Sequence, residues 1–387
     1  MTILVAYINK RVITMIIGVP KEIKNHEYRI GLTPAGVNEL TINGHDVIVE
    51  NNGGAAIGFD NEQYIAAGAK IIDSAEEIFA TADMIIKVKE PQPVECKMLR
   101  PGQVLFTYLH LAPDPQQTEL LIASGATCIA YETVTSATGG LPLLAPMSEV
   151  AGRMSIQAGA HALEKAQGGL GALLGGVPGV APAKVLIIGG GVVGTQAARM
   201  AVGMGADVTI LDRSLPRLRQ LDTEFDGRLK TVYSTADAMD KHIIDADLVI
   251  GAVLIPGAAA PKLVTEKHIK MMKKGSVVVD VAIDQGGCFA TSKATTHQEP
   301  TYVVDEVVHY CVANMPGGVA RTSTMALTNA TMPFVVTLAN KGAKQALLED
   351  AHLMEGLNVL GGKITNKPVA DVLGYEFVTP ESALATL

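Results

Sequence analysis

The sequence is poor in cysteine, and the few it has are widely separated. Its four cysteines, Cys96, Cys128, Cys288 and Cys311, form no CxxC pair and have no histidine at zinc-ligand spacing. This argues against a disulfide framework and against a structural metal site, and it is typical of a reducing compartment. We therefore expect a cytoplasmic protein without a bound metal.

The sequence also lacks a basic excess and a long apolar run. With 31 Lys and Arg against 39 Asp and Glu, it does not resemble a nucleic-acid-binding protein, so a small-molecule partner is expected. Its longest apolar runs, such as residues 246–260, are interrupted and fall short of the roughly 20 residues that span a bilayer. Residues 1–14 place their apolar part before Lys10 and Arg11, the reverse of a signal peptide, which predicts a tail and no membrane association.

The 387 residues are about twice the usual length of one domain, so we expect two domains. From residue 15 to residue 134, short β-rich runs alternate with helix candidates, which is an α/β pattern. The strands predicted there are MIIGV, DVIVE, KIID, MIIKVK, VLFTYLH and CIAYETV. Helices are predicted over residues 34–43, 75–82 and 115–124, preceded by the capping residues Thr33, Ser74 and Asp114.

A second α/β series follows a predicted helix over residues 149–166 and a stretch rich in glycine and proline. Its predicted strands are KVLIIG, DVTILD, DLVIGAV, SVVVDVAID and YVVDEVV. Beyond Arg321 the chain is predicted to be helical, over residues 324–340 and 343–357. The expected fold class is therefore α/β.

The strongest local motif, GGGVVG at residues 189–194, fits the dinucleotide-binding pattern GxGxxG between a buried strand and a helix. Gly189 is expected to permit the tight turn, Gly191 the approach of a pyrophosphate, and Gly194 close packing of helix on strand. Asp212 ends the next strand, where a carboxylate accepts both ribose hydroxyls, so NAD is favoured over NADP. An ordinary glycine-rich turn is the alternative.

Polar residues that end apolar strands are candidates for the chemistry, because ligands of open α/β sheets gather at the carboxyl ends of strands. Lys89, His110 and Asp284 occupy such positions, and Arg29 lies on the loop after the first strand. A cation, a group that titrates near neutrality and a carboxylate suit the oxidation of a small amino or hydroxy acid. Each residue has an alternative. Lys89 could be a solvated strand end and His110 a structural histidine. Asp284 could cap a glycine turn, and Arg29 could be a surface charge.

A series of motifs in one order resembles the alanine dehydrogenase family from residue 15 to about residue 380. The segments are IIGVPKEIKNHEYRIGLTP, KVKEP, TYLHLA, APMSEVAGRMS, GGGVVG, VAIDQGG and NMPGGVARTST. The resemblance implies two Rossmann-like domains, with an NAD domain (residues 143–320) inserted into a discontinuous substrate domain (residues 1–142 and 321–387). It also implies a homohexamer.

The function that the resemblance implies is reversible, NAD-dependent oxidative deamination of L-alanine to pyruvate and ammonium. Arg29 and Lys89 then bind the substrate, and His110 and Asp284 are the acid–base pair. The residues implied to bind NAD are Ser148, Gly189, Gly191, Val192, Val193, Gly194, Asp212, Asn314 and Met315.

Three alternatives differ in function class. The first is the NAD-binding subunit of a proton-pumping transhydrogenase, and the second is an enzyme that joins an amino acid to a keto acid. The third is a catalytically silent NAD-binding regulator. The APMSEVAGRMS segment and the presence of Lys89, His110 and Asp284 favour the dehydrogenase.

Overall fold

The computed structural model describes residues 14–253 and 260–386, so the predicted tail lies outside the described residues except for Thr14. Two compact units make up the chain. The first unit contains the described residues up to Pro146 and from Ala320 onward, and the second is Met147–Val319. Within the described ranges, no helix is both long and apolar enough to cross a membrane.

The strands of the described residues are short and belong to two sheets. In chain order they are β1 (Ile16–Val19), β2 (Asp46–Glu50), β3 (Lys70–Ile72), β4 (Met84–Ile86), β5 (Val104–Thr107), β6 (Thr127–Ala130), β7 (Lys184–Ile188), β8 (Asp207–Asp212), β9 (Lys230–Tyr233), β10 (Leu248–Gly251), β11 (Val277–Asp280), β12 (Thr301–Val304), β13 (Val307–Tyr310), β14 (Leu357–Leu360) and β15 (Lys363–Ile364).

The α-helices of the same residues connect most of these strands. They are α1 (Pro34–Ile42), α2 (Asn61–Ala66), α3 (Ala75–Thr81), α4 (Pro93–Cys96), α5 (Pro115–Ser124), α6 (Ala145–Ala162), α7 (Val192–Gly203), α8 (Leu215–Phe225), α9 (Ala236–Asp245), α10 (Glu266–Met271), α11 (Ala320–Glu349), α12 (Ala351–Met354), α13 (Lys367–Leu373) and α14 (Pro380–Leu384).

The sheet of the first unit has eight strands in the order β15-β14-β6-β5-β4-β1-β2-β3. Strands β1 to β6 pair in parallel, whereas β14 pairs antiparallel with β6 and with β15. Every residue of β4, β5 and β6 is buried. Parallel strands covered on both faces give such continuous apolar runs, and this is why their sequences predicted them.

The sheet of the second unit has seven strands in the order β12-β13-β11-β10-β7-β8-β9. All are parallel except β12, which pairs antiparallel with β13. From β9 to β13 the order corresponds to the 3-2-1-4-5-6 arrangement of a Rossmann fold. The first unit repeats it from β3 to β6, so the prediction of two Rossmann-like domains is confirmed.

The three predicted helix starts are confirmed by their capping bonds. The side chains of Thr33, Ser74 and Asp114 accept hydrogen bonds from the backbone N–H groups three residues later, at 3.3, 3.2 and 3.0 Å. Each bond satisfies a donor that has no partner inside the helix. Helix α6, by contrast, occupies Ala145–Ala162 rather than residues 149–166, because Pro146 is tolerated in a first turn.

Several predicted strands extend too far. Strand β4 ends at Ile86, before Lys89, and β11 ends at Asp280, before Asp284. The predicted strand YVVDEVV is two strands, β12 and β13, because Asp305 and Glu306 adopt the left-handed conformation at φ 49° and 62° and form the turn between them.

The C-terminal prediction is partly wrong. The helix expected over residues 343–357 ends at Glu349, after a break at Gly342 (φ 73°) inside α11. Asp350 starts a separate short helix by accepting bonds from His352 N and Leu353 N at 2.9 and 3.1 Å. Leu357 begins β14, whose four residues are all buried beside β6. A short apolar run is compatible with a helix or a strand. Here the hydrogen-bonded pairing with β6 makes it a strand.

Candidate active site

Three predicted site residues of the first unit lie in the loops that follow neighbouring strands. Arg29 follows β1, Lys89 follows β4 and His110 follows β5, and these strands are adjacent in the order β1, β4, β5. Because the strands are parallel, Lys89 and His110 lie at one edge of the sheet. The loop of Arg29 reaches the same edge, since a Cβ on Gly31 would lie 2.6 Å from the Ile86 oxygen that ends β4. That edge is where ligands bind in open α/β folds.

Arg29 is a buried residue and not a surface charge. It is 2% exposed, and its Nε and Nη2 donate to the two carboxylate oxygens of Glu27 at 2.7 and 2.6 Å. Burial opposes the charge, but Glu27 outweighs it and raises the pKa of Arg29. Glu27 therefore holds a permanently charged guanidinium in one orientation, which suits recognition of a carboxylate.

Lys89 is only partly solvated, with 16% of its side chain exposed. Its Nζ lies 4.0 Å from Glu90 Oε2, and its backbone oxygen accepts a bond from Thr107 Oγ1 at 2.9 Å. Burial alone would raise the pKa of Glu90, but the ammonium groups of Lys89 and Lys24 outweigh it and lower that pKa. The site thus holds an ammonium beside an ionised carboxylate.

His110 has a strained backbone, with φ at 49° in the left-handed region. Its N–H donates to Glu132 Oε1 at 2.6 Å, and Leu109 N donates to both carboxylate oxygens of Glu132 at 3.2 Å. The imidazole stacks on Tyr108 with a ring separation of 5.8 Å, and 45% of it is exposed. Glu132 therefore supports an unusual conformation that presents an accessible imidazole.

The glycine motif of the second unit has the geometry expected for its roles. Gly189 has φ at 102°, and a Cβ on Gly194 would lie 1.8 Å from the Gly189 carbonyl oxygen. A Cβ on Gly191, in contrast, would meet nothing within 4 Å, and this residue caps α7 without a side-chain bond. The start of α7 therefore presents backbone N–H groups to an open approach, the arrangement that receives a phosphate.

Asp212 lies against this glycine loop at the end of β8. Its carboxylate accepts bonds from Gly190 N and Ser214 N, each at 2.7 Å. A carboxylate has about four lone-pair sites, so these bonds leave acceptor capacity for hydroxyl groups of a ribose. The charged carboxylate also disfavours an added phosphate at the same place.

The structure brings Asp284 and Asn314 together. Asn314 N lies 3.2 and 3.4 Å from the two carboxylate oxygens of Asp284 and donates toward them, and Asn314 has φ at 56°. Asp284 itself is exposed within the 3-10 helix Ile283–Gln285. Met315 is 3% exposed and packs in the core of this unit, whereas Ser148 is half-buried on α6.

The sequence did not predict the bonds that two further residues, Glu132 and Arg217, make near the candidate site. Glu132 accepts a bond from the His110 backbone, and its sequence signal is a carboxylate two residues after β6 in CIAYE. Arg217 donates from Nε to the Gly190 oxygen at 2.6 Å and from Nη2 to Thr195 Oγ1 at 2.5 Å. Arg217 lies on α8, where an arginine at a solvent-facing position of the helical pattern does not indicate a bond to the glycine loop.

The chain matches models of two adjoining protein domains over most of its length. Residues 18–151 match the alanine dehydrogenase/PNT N-terminal domain, and residues 155–367 match the alanine dehydrogenase/PNT C-terminal domain. The chain belongs to the alanine dehydrogenase/PNT family. The first match ends at residue 151 and the second begins at residue 155, both within α6.

Similarity to individual members separates two branches of this family. The alanine dehydrogenase of Halomonas elongata is 63% identical over 370 residues, which are 96% of this chain and 100% of that protein. A solved L-alanine dehydrogenase has a TM-score of 0.90 and 51% identity, covering 93% of this chain and 99% of that one. A solved transhydrogenase from Sinorhizobium meliloti has a TM-score of 0.78 and 26% identity, covering 91% of this chain and 99% of that one. The dehydrogenase reading is thereby favoured over the transhydrogenase alternative.

Proposed function

We propose that this protein is an L-alanine dehydrogenase that interconverts L-alanine, NAD and water with pyruvate, ammonium, NADH and a proton. The observation that carries the proposal is the 63% identity to an alanine dehydrogenase over the whole of that relative. The arrangement of Arg29, Lys89 and His110 at one sheet edge supports it. Assembly as a homohexamer and a cytoplasmic location stay predictions.

The residues of the second unit fit NAD. The open approach at Gly191 fits a pyrophosphate, and the remaining acceptor capacity of Asp212 fits a ribose. Ser148, Val192, Val193, Asn314 and Met315 are proposed to complete the site. When bound, NAD accepts the hydride that leaves the α-carbon of alanine.

The residues of the first unit are proposed to bind and orient the substrate. Arg29 pairs with the substrate carboxylate, and its orientation by Glu27 limits the entropy lost on binding. Lys89 donates a hydrogen bond to the oxygen at the reacting carbon once water has added to the imine, and to the carbonyl of pyruvate. This positioning stabilises negative charge on that oxygen.

His110 and Asp284 are proposed as the acid–base pair. His110 or Asp284 takes a proton from the water that attacks the imine, and returns a proton to the departing amine. Asp284 stabilises the positive charge that develops on the imine nitrogen. Ammonium and pyruvate are the products.

The reverse reaction tests this function. Purified protein with pyruvate, ammonium and NADH is expected to consume NADH, and chiral chromatography is expected to find L-alanine as the product. Omission of ammonium controls for simple reduction of pyruvate. Formation of lactate, or of an amino acid joined to pyruvate, would contradict the proposal.

The choice of cofactor depends on Asp212. Replacing Asp212 with asparagine keeps one acceptor oxygen for the Gly190 N–H but removes the charge that repels a 2′-phosphate. We expect the ratio of kcat/KM for NAD to that for NADP to fall about tenfold or more, which corresponds to about 1.4 kcal/mol. Initial rates with each cofactor measure this, and an unchanged ratio would remove Asp212 from the ribose site.

A further inference from the structure

Two residues before Lys89, a second lysine is completely buried between two carboxylates. Lys87 is 0% exposed, and its Nζ donates to Glu95 Oε1 at 2.7 Å and to Glu22 Oε2 at 3.0 Å. Glu22 and Glu95 are themselves 6% and 2% exposed. We call these three residues the buried triad. None of them belongs to the substrate, acid–base or cofactor residues proposed above.

The stability of the fold does not by itself explain the buried triad, because burying charged groups is energetically unfavourable. Taking charges out of water costs several kcal/mol per ion, and apolar replacements of such groups are often as stable or more so. Burial raises the pKa of Glu22 although Lys87 opposes it, and the two carboxylates raise the pKa of Lys87 against its own burial. Lys87 thus stays charged and favours the ionised form of Glu22.

The other oxygen of Glu22 connects the buried triad to Lys89. Glu22 Oε1 accepts bonds from Val88 N at 2.6 Å and from Lys89 N at 3.2 Å. Strand β1, the neighbour of β4 on this side, ends at Val19. The carboxylate of Glu22 therefore takes the place of a neighbouring strand and bonds the backbone where the sheet has ended.

The opposite side of the same segment bonds to the end of β5 and to the residue after it. Lys87 N donates to the Phe106 oxygen and Tyr108 N donates to the Val88 oxygen, both at 3.3 Å, and Thr107 Oγ1 bonds the Lys89 oxygen. Glu95 Oε2 meanwhile accepts from Gln92 N at 2.7 Å. The backbone of Lys89 is thus held from both sides, and on one side by the carboxylate of Glu22.

We propose that Lys87 is a positioning residue for Lys89: by keeping Glu22 ionised and in place, it fixes the backbone from which the Lys89 ammonium reaches the substrate oxygen. The inference rests on the proposed function for the identity of the substrate, but the positioning itself does not. Neutral Glu22 would bond the two N–H groups more weakly, because hydrogen bonds to charged acceptors are about twice as strong as neutral ones.

Lys87→Met tests the proposal, with Lys87→Arg as the conservative variant. In the methionine variant we expect kcat/KM for pyruvate to fall about 10- to 100-fold, as expected for a displaced binding group, with KM carrying at least half of the loss. The dissociation constant for NADH, measured by calorimetry, is expected to stay within about twofold. Lys87→Arg is expected to recover part of the lost kcat/KM.

Ile85→Ala is the matched control, because Ile85 is completely buried on β4 and carries no charge. It is expected to lower the melting temperature without raising KM for pyruvate. If Lys87→Met does not fold, Glu22→Gln, which keeps the volume and removes the charge, carries the same expectation. An unchanged KM in a folded variant, or an equal rise in Ile85→Ala, would overturn the positioning role.

A second readout needs no activity. Reductive methylation with formaldehyde, quantified by peptide mass spectrometry, is expected to label Lys89 severalfold faster in Lys87→Met, because the side chain leaves its partly covered position. Equal labelling of both proteins would overturn the inference. A wild-type protein inactive with pyruvate, ammonium and NADH would contradict the proposed function alone, and the labelling would still decide the role of Lys87.

Discussion

Replacing His110 with asparagine is expected to lower the turnover of L-alanine by about 10²- to 10⁴-fold, the usual contribution of a general acid–base group. Asparagine suits this test because it tolerates the left-handed backbone that His110 adopts at φ 49°. The bond from the backbone N–H to Glu132 is thereby retained. The imidazole is lost and the conformation is kept.

Steady-state rates and NADH titration together measure this effect. The dissociation constant for NADH is expected to stay within about twofold, because the substitution leaves the glycine loop and Asp212, the proposed dinucleotide-binding residues, unchanged. His161→Asn is the control, since 62% of its side chain is exposed on α6. A His110→Asn protein with more than about a tenth of the wild-type turnover would remove His110 from the acid–base pair.

The second large effect is expected from Gly194→Ala. The added Cβ would lie 1.8 Å from the Gly189 oxygen, so α7 and the glycine loop must move apart. We expect a loss of about 1–3 kcal/mol in the free energy of unfolding, as for other overpacked sites. Dinucleotide affinity is expected to fall about tenfold or more, because one lost charge-assisted bond is worth about 1.5–3 kcal/mol.

Gly203→Ala controls for the same chemical change in the same helix. A Cβ at Gly203 would meet nothing within 4 Å, so this variant is expected to be equally stable or up to about 1 kcal/mol more stable. Chemical denaturation and calorimetry with NADH measure both variants. Wild-type affinity in a folded Gly194→Ala protein would show that the loop does not bind the pyrophosphate.

The central parts of both sheets were predictable because of how parallel strands are buried. Strands such as β5 and β6 are apolar throughout, and the glycine motif follows β7 with no intervening residue. Periodicity did not reveal β14, since its pairing with β6 joins segments more than 200 residues apart in the chain. Only tertiary contact distinguishes that run from a helix.

The sequence allows the candidate residues to be predicted where a polar residue follows an apolar strand. It does not reveal the carboxylates that hold those residues in place. Lys89 and His110 are candidates because they follow apolar runs, and their roles stay predictions. The sequence does not show that Glu27 buries Arg29 in a two-bond pair, nor that Glu22 replaces a strand beside Lys89. Such bonds depend on side-chain directions, which residue spacing does not specify.

The most direct test of the central claim is the absorbance of NADH after purified protein is mixed with NAD and L-alanine. Parallel reactions with D-alanine, glycine, lactate and NADP define the specificity. We expect rapid NADH formation with L-alanine and NAD, equimolar with pyruvate and ammonium. No NADH from L-alanine in a protein that binds NAD would contradict the account.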